Sequence, residues 1–287
     1  MFASDVSQYL QSNLIGKDIE IKTTSSLNNP LPNSLLFLIN SDENKIDMLN
    51  NLDFDLLVIC DKHCNISLKK PRIIVDNPKY SYVETIKKFW MNKEKSHIDK
   101  NTSISKTAII GKEPLIKRNV VIEENVLIGN NCIIEENVII RKNTIIGNDC
   151  VIRSNTVIGG EGFGFVKNQQ VPYRIPHLGK VVISDNCEIG ENSIVNRGTI
   201  DDTKIGENVK ISTLVKIAHN VDIKNNVMIA TGVQVSGSVC IAEGVWIGTN
   251  STILNKVSIG EKAIIGVGSV VVNNVQDNST VKGNPAK

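Results

Sequence analysis

The residue in this chain best suited to chemistry is His219, in the run Ile217-Ala218-His219-Asn220-Val221. A histidine changes charge near neutral pH, so it can take a proton from a reacting group. It stands two residues after Ile217, off the apolar period described below, and should project from the surface rather than pack inside. The competing reading is an ordinary solvated corner residue, and Asn220 needs no role beyond forming that corner. The paired acids Asp201 and Asp202 either orient His219, contact a substrate, or stay solvated. His177 and His97 are weaker candidates, one in an irregular segment and the other in a polar stretch. Cys60, His63 and Cys64 form a partial metal set (CDKHC) with no evident fourth ligand, which favours a loop.

The elements that must position these residues follow from a strict repeat. An aliphatic residue recurs every sixth position from Ile104 to Ile158 and again from Ile205 to Val271, with Ile183, Ile189 and Val195 between. A short fixed period marks a solenoid, in which each repeat buries its apolar residue only by stacking on its neighbours. Three residues after the aliphatic one comes Asn or Asp (Asn125, Asn131, Asn137, Asn143, Asp149, Asn155), types that tolerate the left-handed backbone of a tight corner. Next comes a small or β-branched residue, as at Val126, Val138 and Thr144, which should face inward beside the isoleucine. Cys132, Cys150 and Cys187 take this slot and read as core packing rather than disulfide or metal chemistry. Gly often follows the aliphatic residue directly (Gly129, Gly147, Gly190), where a turn needs room. A β-sandwich would show alternating strands at wider spacing.

Two segments break the register. Residues 159–182 replace regular hexads, and residues 196–204 shift the phase. Insertions in a solenoid become loops, often on its functional face. Before residue 100 the hexads vanish. DVSQYLQSNL, NKIDMLNNL and YVETIKKFW read as helices, and SLLFLIN, DFDLLVIC and PRIIVD as strands, giving a small α/β domain. MNKEKSHIDKN reads as a polar linker. The domains expected are therefore 1–98 (small α/β), 99–275 (solenoid) and 276–287 (tail).

The repeat resembles that of the hexapeptide acyltransferases over about residues 102–275. The whole chain resembles the UDP-3-O-acylglucosamine N-acyltransferase family of lipid A synthesis. The resemblance rests on Phe37-Leu38-Ile39-Asn40, Asn77-Pro78, Gly162-Phe163-Gly164-Phe165, Ile175-Pro176-His177-Leu178-Gly179, Arg197-Gly198 with Asp201-Asp202-Thr203, Ile217-Ala218-His219-Asn220-Val221 and Ser236-Gly237-Ser238. It implies a left-handed parallel β-helix, usually a homotrimer. It also implies His219 as general base in a cleft between subunits, and a glycine N–H, here Gly237, for the oxyanion. Phe37, Asn40, Asn77, Phe163, Phe165, Asn196, Asp201 and Asp202 become candidates for binding a nucleotide-linked amino sugar, the α/β domain holding its nucleotide end. The Phe163 and Phe165 loop either lines that cleft or merely covers the prism.

The chain departs from this pattern at four places. Glu43 stands where the family stacks a Tyr on uracil, which leaves Tyr80 or Tyr82 to supply a ring. Ser212-Thr213 replace Asp-Asn, Asn196 replaces Asp, and Lys256 replaces a second His on the donor side. The ending Gly283-Asn284-Pro285-Ala286-Lys287 resembles acetyl-CoA-dependent sugar acetyltransferases, where such a segment lies near the coenzyme, and the family's helical extension for acyl carrier protein does not follow. The expectation is therefore an N-acyltransferase acting on a UDP- or dTDP-linked amino sugar for a cell-surface glycan. The expected donor is acetyl-CoA or another acyl-CoA, with Lys256, Gly283, Asn284 and Pro285 at the donor site. The alternative is the lipid A enzyme itself, using acyl carrier protein.

Composition sets outer bounds. The chain has 287 residues and a net charge of +2 with both signs interspersed, so nothing resembles a nucleic-acid-binding patch. No signal peptide or membrane-spanning run is evident, which points to a cytoplasmic protein. A carbonic-anhydrase-like metal site needs several histidines at a subunit interface, but only His177 and His219 lie on the solenoid. No metal is expected. A catalytically dead scaffold on the same solenoid is the remaining class.

Overall fold

The structure is a computed structural model. It describes residues 1–39, 43–64, 68–92 and 94–287, with only the backbone of Cys64. The chain divides into two compact units, Met1–Lys93 and Glu94–Lys287.

The first unit is α/β. Its helices are α1 (Ala3–Tyr9), α2 (Glu43–Asn50) and α3 (Pro78–Phe89). Its strands are β1 (Leu14–Ile15), β2 (Thr23–Thr24), β3 (Ser34–Leu38), β4 (Leu57–Cys60) and β5 (Arg72–Ile74). They form one sheet in the order β1-β5-β4-β3-β2. β3 and β4 are apolar runs paired in parallel and buried on both faces, as parallel strands require. β1 and β2 are too short to carry a periodic signal and were not legible in the sequence.

The second unit is a parallel β-solenoid with three faces. Among the described residues the first sheet has nine strands, from Ser103–Ile104 to Val270–Val271; the second has eight, from Ile109–Ile110 to Ser258–Ile259; the third has ten, from His97–Ile98 to Thr280–Val281. Each strand pairs with the equivalent strand one coil away, so isoleucine stacks on isoleucine: Ile122 on Ile140, Ile134 on Ile152. The aliphatic residues from Ile116 to Ile265 and the small slots Val126, Cys132, Val138 and Cys150 make one continuous buried core. Burying each such side chain is worth about 1.5–3 kcal/mol before entropy is counted. The buried thiols Cys132, Cys150 and Cys187 donate to the carbonyls of Gly147, Ser184 and Gly206 at 3.1, 3.1 and 3.0 Å, so the inward thiols serve packing.

The corners are turned by the expected residues. Asn125, Asn131, Asn137, Asn143, Asp149 and Asn155 all have φ between 55° and 65°. Their side chains also stack, Asn119 donating to Asn137 at 3.2 Å and Asn137 to Asn155 at 3.0 Å. The glycines after isoleucine have a different reason from the one expected. Turning is left to Asn; a Cβ on Gly129 would stand 2.6 Å from the carbonyl carbon of Gly147 on the next coil. The close approach of stacked backbones excludes a side chain there.

Three sequence-based boundaries move. His97–Ile98 pairs with Leu115–Ile116, so the polar "linker" already contains the first solenoid strand. Residues 276–287 are no separate tail. Thr280–Val281 adds to the third sheet beside Ile264–Ile265, and Gly283 bridges Ala286 in a closing turn. Residues 159–182 contain a projecting antiparallel hairpin, Phe165–Asn168 with Val171–Arg174, before the coil resumes at Val181–Ile183.

Candidate functional site

His219 sits at the corner between Lys216–Ile217 of the first sheet and Asp222–Ile223 of the second. It is half-buried. Its surroundings come from both breaks in the register. Each insertion leaves the solenoid at this same corner, because Val157–Gly160 pairs with Ile194–Asn196, which pairs in turn with Lys216–Ile217.

The imidazole is oriented by Asn220. The Asn220 amide is itself fixed: Nδ2 donates to the carbonyl of Asp201 at 2.9 Å, while Oδ1 accepts from the backbone N–H and the hydroxyl of Thr199 at 3.1 and 3.0 Å. Oδ1 therefore faces His219, 3.0 Å from Nδ1. An amide oxygen only accepts, so this network assigns the ring proton to Nδ1 and leaves Nε2 as the basic nitrogen. The Cε1–Nε2 edge of the ring lies against Gly237, where a Cβ would stand 2.7 and 2.9 Å from these two atoms. A cavity of about 280 Å³ opens at this point, lined by His219, Gly237, Phe163, Asn196, Lys216 and Gln234 among others. The Gly237 N–H makes no hydrogen bond among the described residues, while its carbonyl accepts from the Lys256 N–H at 3.0 Å. A bare base and a free N–H on one cavity can take a proton from a nucleophile and receive negative charge on an oxygen.

Other candidates fall into groups. Phe163 lines the cavity and is 84% exposed, 5.0 Å from the ring of Phe165, which carries the Arg174 guanidinium over its face at 4.8 Å. Asn196 reaches the cavity but is buried, donating to the carbonyls of Gly160 and Glu161 at 3.2 and 3.1 Å. Beside it the buried Arg197 donates to the carbonyls of Gly159 and Lys142, tying the two insertions together. Asp201 and Asp202 do not touch His219: Asp201 acts through its backbone carbonyl on Asn220, and Asp202 accepts from the Lys180 N–H at 3.0 Å. They shape the tight turn, and the orienting group is Asn220.

Gly283, Asn284 and Pro285 do not line this cavity. They close the last coil, the Gly283 carbonyl accepting from the Val270 N–H at 2.9 Å. Lys256 reaches the site through its backbone contact with Gly237 and forms a corner at φ 65°. In the first unit Asn77 caps α3, accepting from the Tyr80 N–H at 3.1 Å, and Phe37 packs its ring 4.9 Å from that of Tyr82. Tyr80 is exposed on α3. Asn40 lies outside the described residues. Cys60 is buried at the end of β4, whereas His63 is exposed.

Two further residues belong to the site without a signal in the sequence. Thr199, inside the phase shift, holds Asn220 through its N–H and hydroxyl. His177, in the irregular segment, is buried and meets His219 edge to face at 5.5 Å between ring centroids. Nothing periodic marks either one.

Stacked hexads with a polar corner site of this kind define a hexapeptide-repeat solenoid. Residues 107–142, 125–160 and 202–237 match the family model described as bacterial transferase hexapeptide (six repeats). These matched stretches carry hexapeptide repeats of that kind, and the chain resembles the UDP-3-O-acylglucosamine N-acyltransferases. It is 54% identical to that enzyme from Xylella fastidiosa (strain M12) over 65 residues, 23% of this chain and 19% of the relative. The match thus spans about a fifth of that relative's length. Among solved structures it is similar to the UDP-N-acetylglucosamine acyltransferase of Francisella novicida (TM-score 0.60, 25% identity, 65% of this chain and 67% of that one). The Bacteroides fragilis counterpart is comparable, with TM-score 0.61 and 25% identity over 67% and 73% of the two chains.

Proposed function

We propose that the protein is an N-acyltransferase that moves an acyl group from a thioester to the amine of a nucleotide-linked amino sugar. The observation that carries this is the His219 Nε2, held as the basic nitrogen by Asn220 and opening onto a cavity with the unpaired Gly237 N–H. A sugar ammonium must lose a proton before its nitrogen attacks. With that proton lost to water, the neutral amine adds to the thioester carbonyl while Nε2 takes a proton from the attacking nitrogen, and the Gly237 N–H stabilises the oxyanion. Collapse of the tetrahedral intermediate expels the thiolate, which is protonated by the imidazolium. The Xylella relative and the two solved neighbours described above are named for UDP-linked sugar substrates, which supports the nucleotide-sugar acceptor. The first unit, with Phe37, Asn77 and the exposed Tyr80, would take the nucleotide end.

Two donors are in play. The N-acyltransferase relatives support the lipid A reaction, with acyl carrier protein delivering the chain. The outward side chains beside His219 support a short acyl-CoA: Lys216, Gln234 and Thr252 stack in register on the first sheet, a polar column ill suited to a fatty chain. Assembly as a homotrimer is part of this reading. Met228, Trp246 and Ile264 stack in register on the third sheet, about 45% exposed each, an apolar stripe that a second copy would cover.

The test is a thiol-release assay pairing UDP- and dTDP-amino sugars, and a UDP-3-O-acylglucosamine, with acetyl-CoA and with acyl carrier protein thioesters. Turnover with one pair, lost in His219→Ala, is expected. A folded protein with no turnover on any pair sinks the proposal and leaves the scaffold reading.

A further inference from the structure

His177 has no place in the reaction as described. It is 4% exposed, inside the segment between Ile158 and Ile183. Its Nδ1 lies 2.9 Å from the carbonyl oxygen of Ile175. A carbonyl only accepts, so Nδ1 carries the proton and Nε2 of the neutral ring is a bare acceptor. Among the described residues that buried Nε2 has no partner. Buried polar atoms are nearly always paired, so an exception calls for a reason.

The geometry offers His219. The two rings meet edge to face, with centroids 5.5 Å apart and planes at 74°. Gly162 lets them approach: a Cβ there would stand 2.8 Å from Cδ2 of His219 and 3.0 Å from Nε2 of His177. At Gly164 a Cβ would stand 2.9 Å from Cε1 of His177. Two glycines of the Gly162-Phe163-Gly164 stretch thus make room for this ring pair, and the Ile175 carbonyl keeps His177 from turning away. Two cations stand near this ring pair. Arg174 donates to the Gly162 carbonyl and pairs with Glu161, both at 3.2 Å, and Lys216 is among the residues that line the cavity.

We propose that His177 is a positioning residue for His219, holding its ring in one orientation and keeping an unpaired Nε2 lone pair beside the positive charge that ring acquires when it takes a proton. The inference rests on His219 as the base. Electrostatic partners act more strongly where water is excluded, and a lone pair already in place needs no reorganisation when the charge appears. The unpaired acceptor is tolerated in the resting protein because it is used in the reacting one.

Two variants separate this role from packing. His177→Phe keeps a ring of similar size and removes the acceptor; His177→Gln keeps an acceptor on a different frame. In the assay above, His177→Phe should retain its KM within about twofold and lose about tenfold or more in kcat, while His177→Gln recovers most of kcat. A Phe variant with wild-type kcat overturns the proposal, as do equal losses in both variants tracking a lowered melting temperature. A second measurement needs no substrate. The chain has four histidines, so imidazole 15N spectra of labelled protein are readable. His219 should show sharp ring signals in wild type and His177→Gln, and signals broadened by ring reorientation in His177→Phe. An unchanged His219 signal in His177→Phe overturns the positioning role. Absence of turnover in the wild type defeats the proposed function instead, and the spectra still decide for or against His177.

Discussion

Oδ1 of Asn220 lies 3.0 Å from Nδ1 of His219, and the same Asn220 turns the coil at φ 60°. One residue therefore carries both the shape of the corner and the tautomer of the base. The two roles separate by substitution. Asn220→Gly keeps the left-handed corner and removes the amide oxygen; Asn220→Ala removes both. Both variants should lose kcat equally, about tenfold, whereas only Ala pays the left-handed backbone cost of about 1 kcal/mol. Steady-state kinetics beside denaturant melts checks this, and a kcat that follows stability rather than the loss of Oδ1 would refute the tautomer role.

His219→Ala should lower kcat by ~10²–10⁴ with little change in melting temperature, since the side chain is outside the stacked core and acts by moving a proton. An active variant would remove the base from the mechanism.

Two glycines of the solenoid should respond in opposite ways. In Gly237→Ala the new methyl meets the His219 ring, 2.7 Å from Cε1, so activity should drop while the fold persists. In Gly129→Ala the methyl meets backbone of the next coil at 2.6 Å, so stability should fall by about 1–3 kcal/mol while the site is untouched. Melting curves and kcat on the same two proteins test the contrast; a stability loss in Gly237→Ala matching that in Gly129→Ala would contradict it.

Acid should weaken the solenoid partly through Glu135. Partial burial raises its carboxyl pKa, but the hydrogen bond and charge of Arg153, with bonds from Ser154, outweigh this and hold it below the ordinary range. A depressed folded pKa contributes stability that is complete above the unfolded value near about 4.3 and is lost as pH falls through the lower folded value. Melting temperature measured from pH 6 down to 3 should fall less steeply in Glu135→Gln. Parallel curves would show that Glu135 adds nothing.

Trp246 stands outward on the third sheet between Met228 and Ile264. If that stripe is the subunit contact, Trp246→Glu should convert a trimer to monomer by light scattering without altering the far-UV circular dichroism. A trimer that survives the substitution would place the contact elsewhere.

The first insertion tests how far the sequence reaches. Its break in period was visible, and so was its bearing on function, because a hexad either continues or it does not. The hairpin within it was not visible: Val171-Pro172-Tyr173-Arg174 pairs with Phe165–Asn168 through contacts no repeat dictates. The role of His177 was hidden for the same reason, since burial in an irregular segment depends on how that segment folds back.

What the sequence determined by itself was the prism. A side chain's direction in a stacked hexad depends only on its place in the period, so Ile, the small slot, the Asn corner and the outward position of His219 were all set locally. What only the tertiary structure decided was the company His219 keeps. Gly162, His177, Thr199 and Gly237 come from different coils and from two insertions of unrelated length, and they meet because parallel stacking brings both breaks out at one corner. Spacing along the chain carries no record of that meeting, since loop closure and stacking, not period, set those distances.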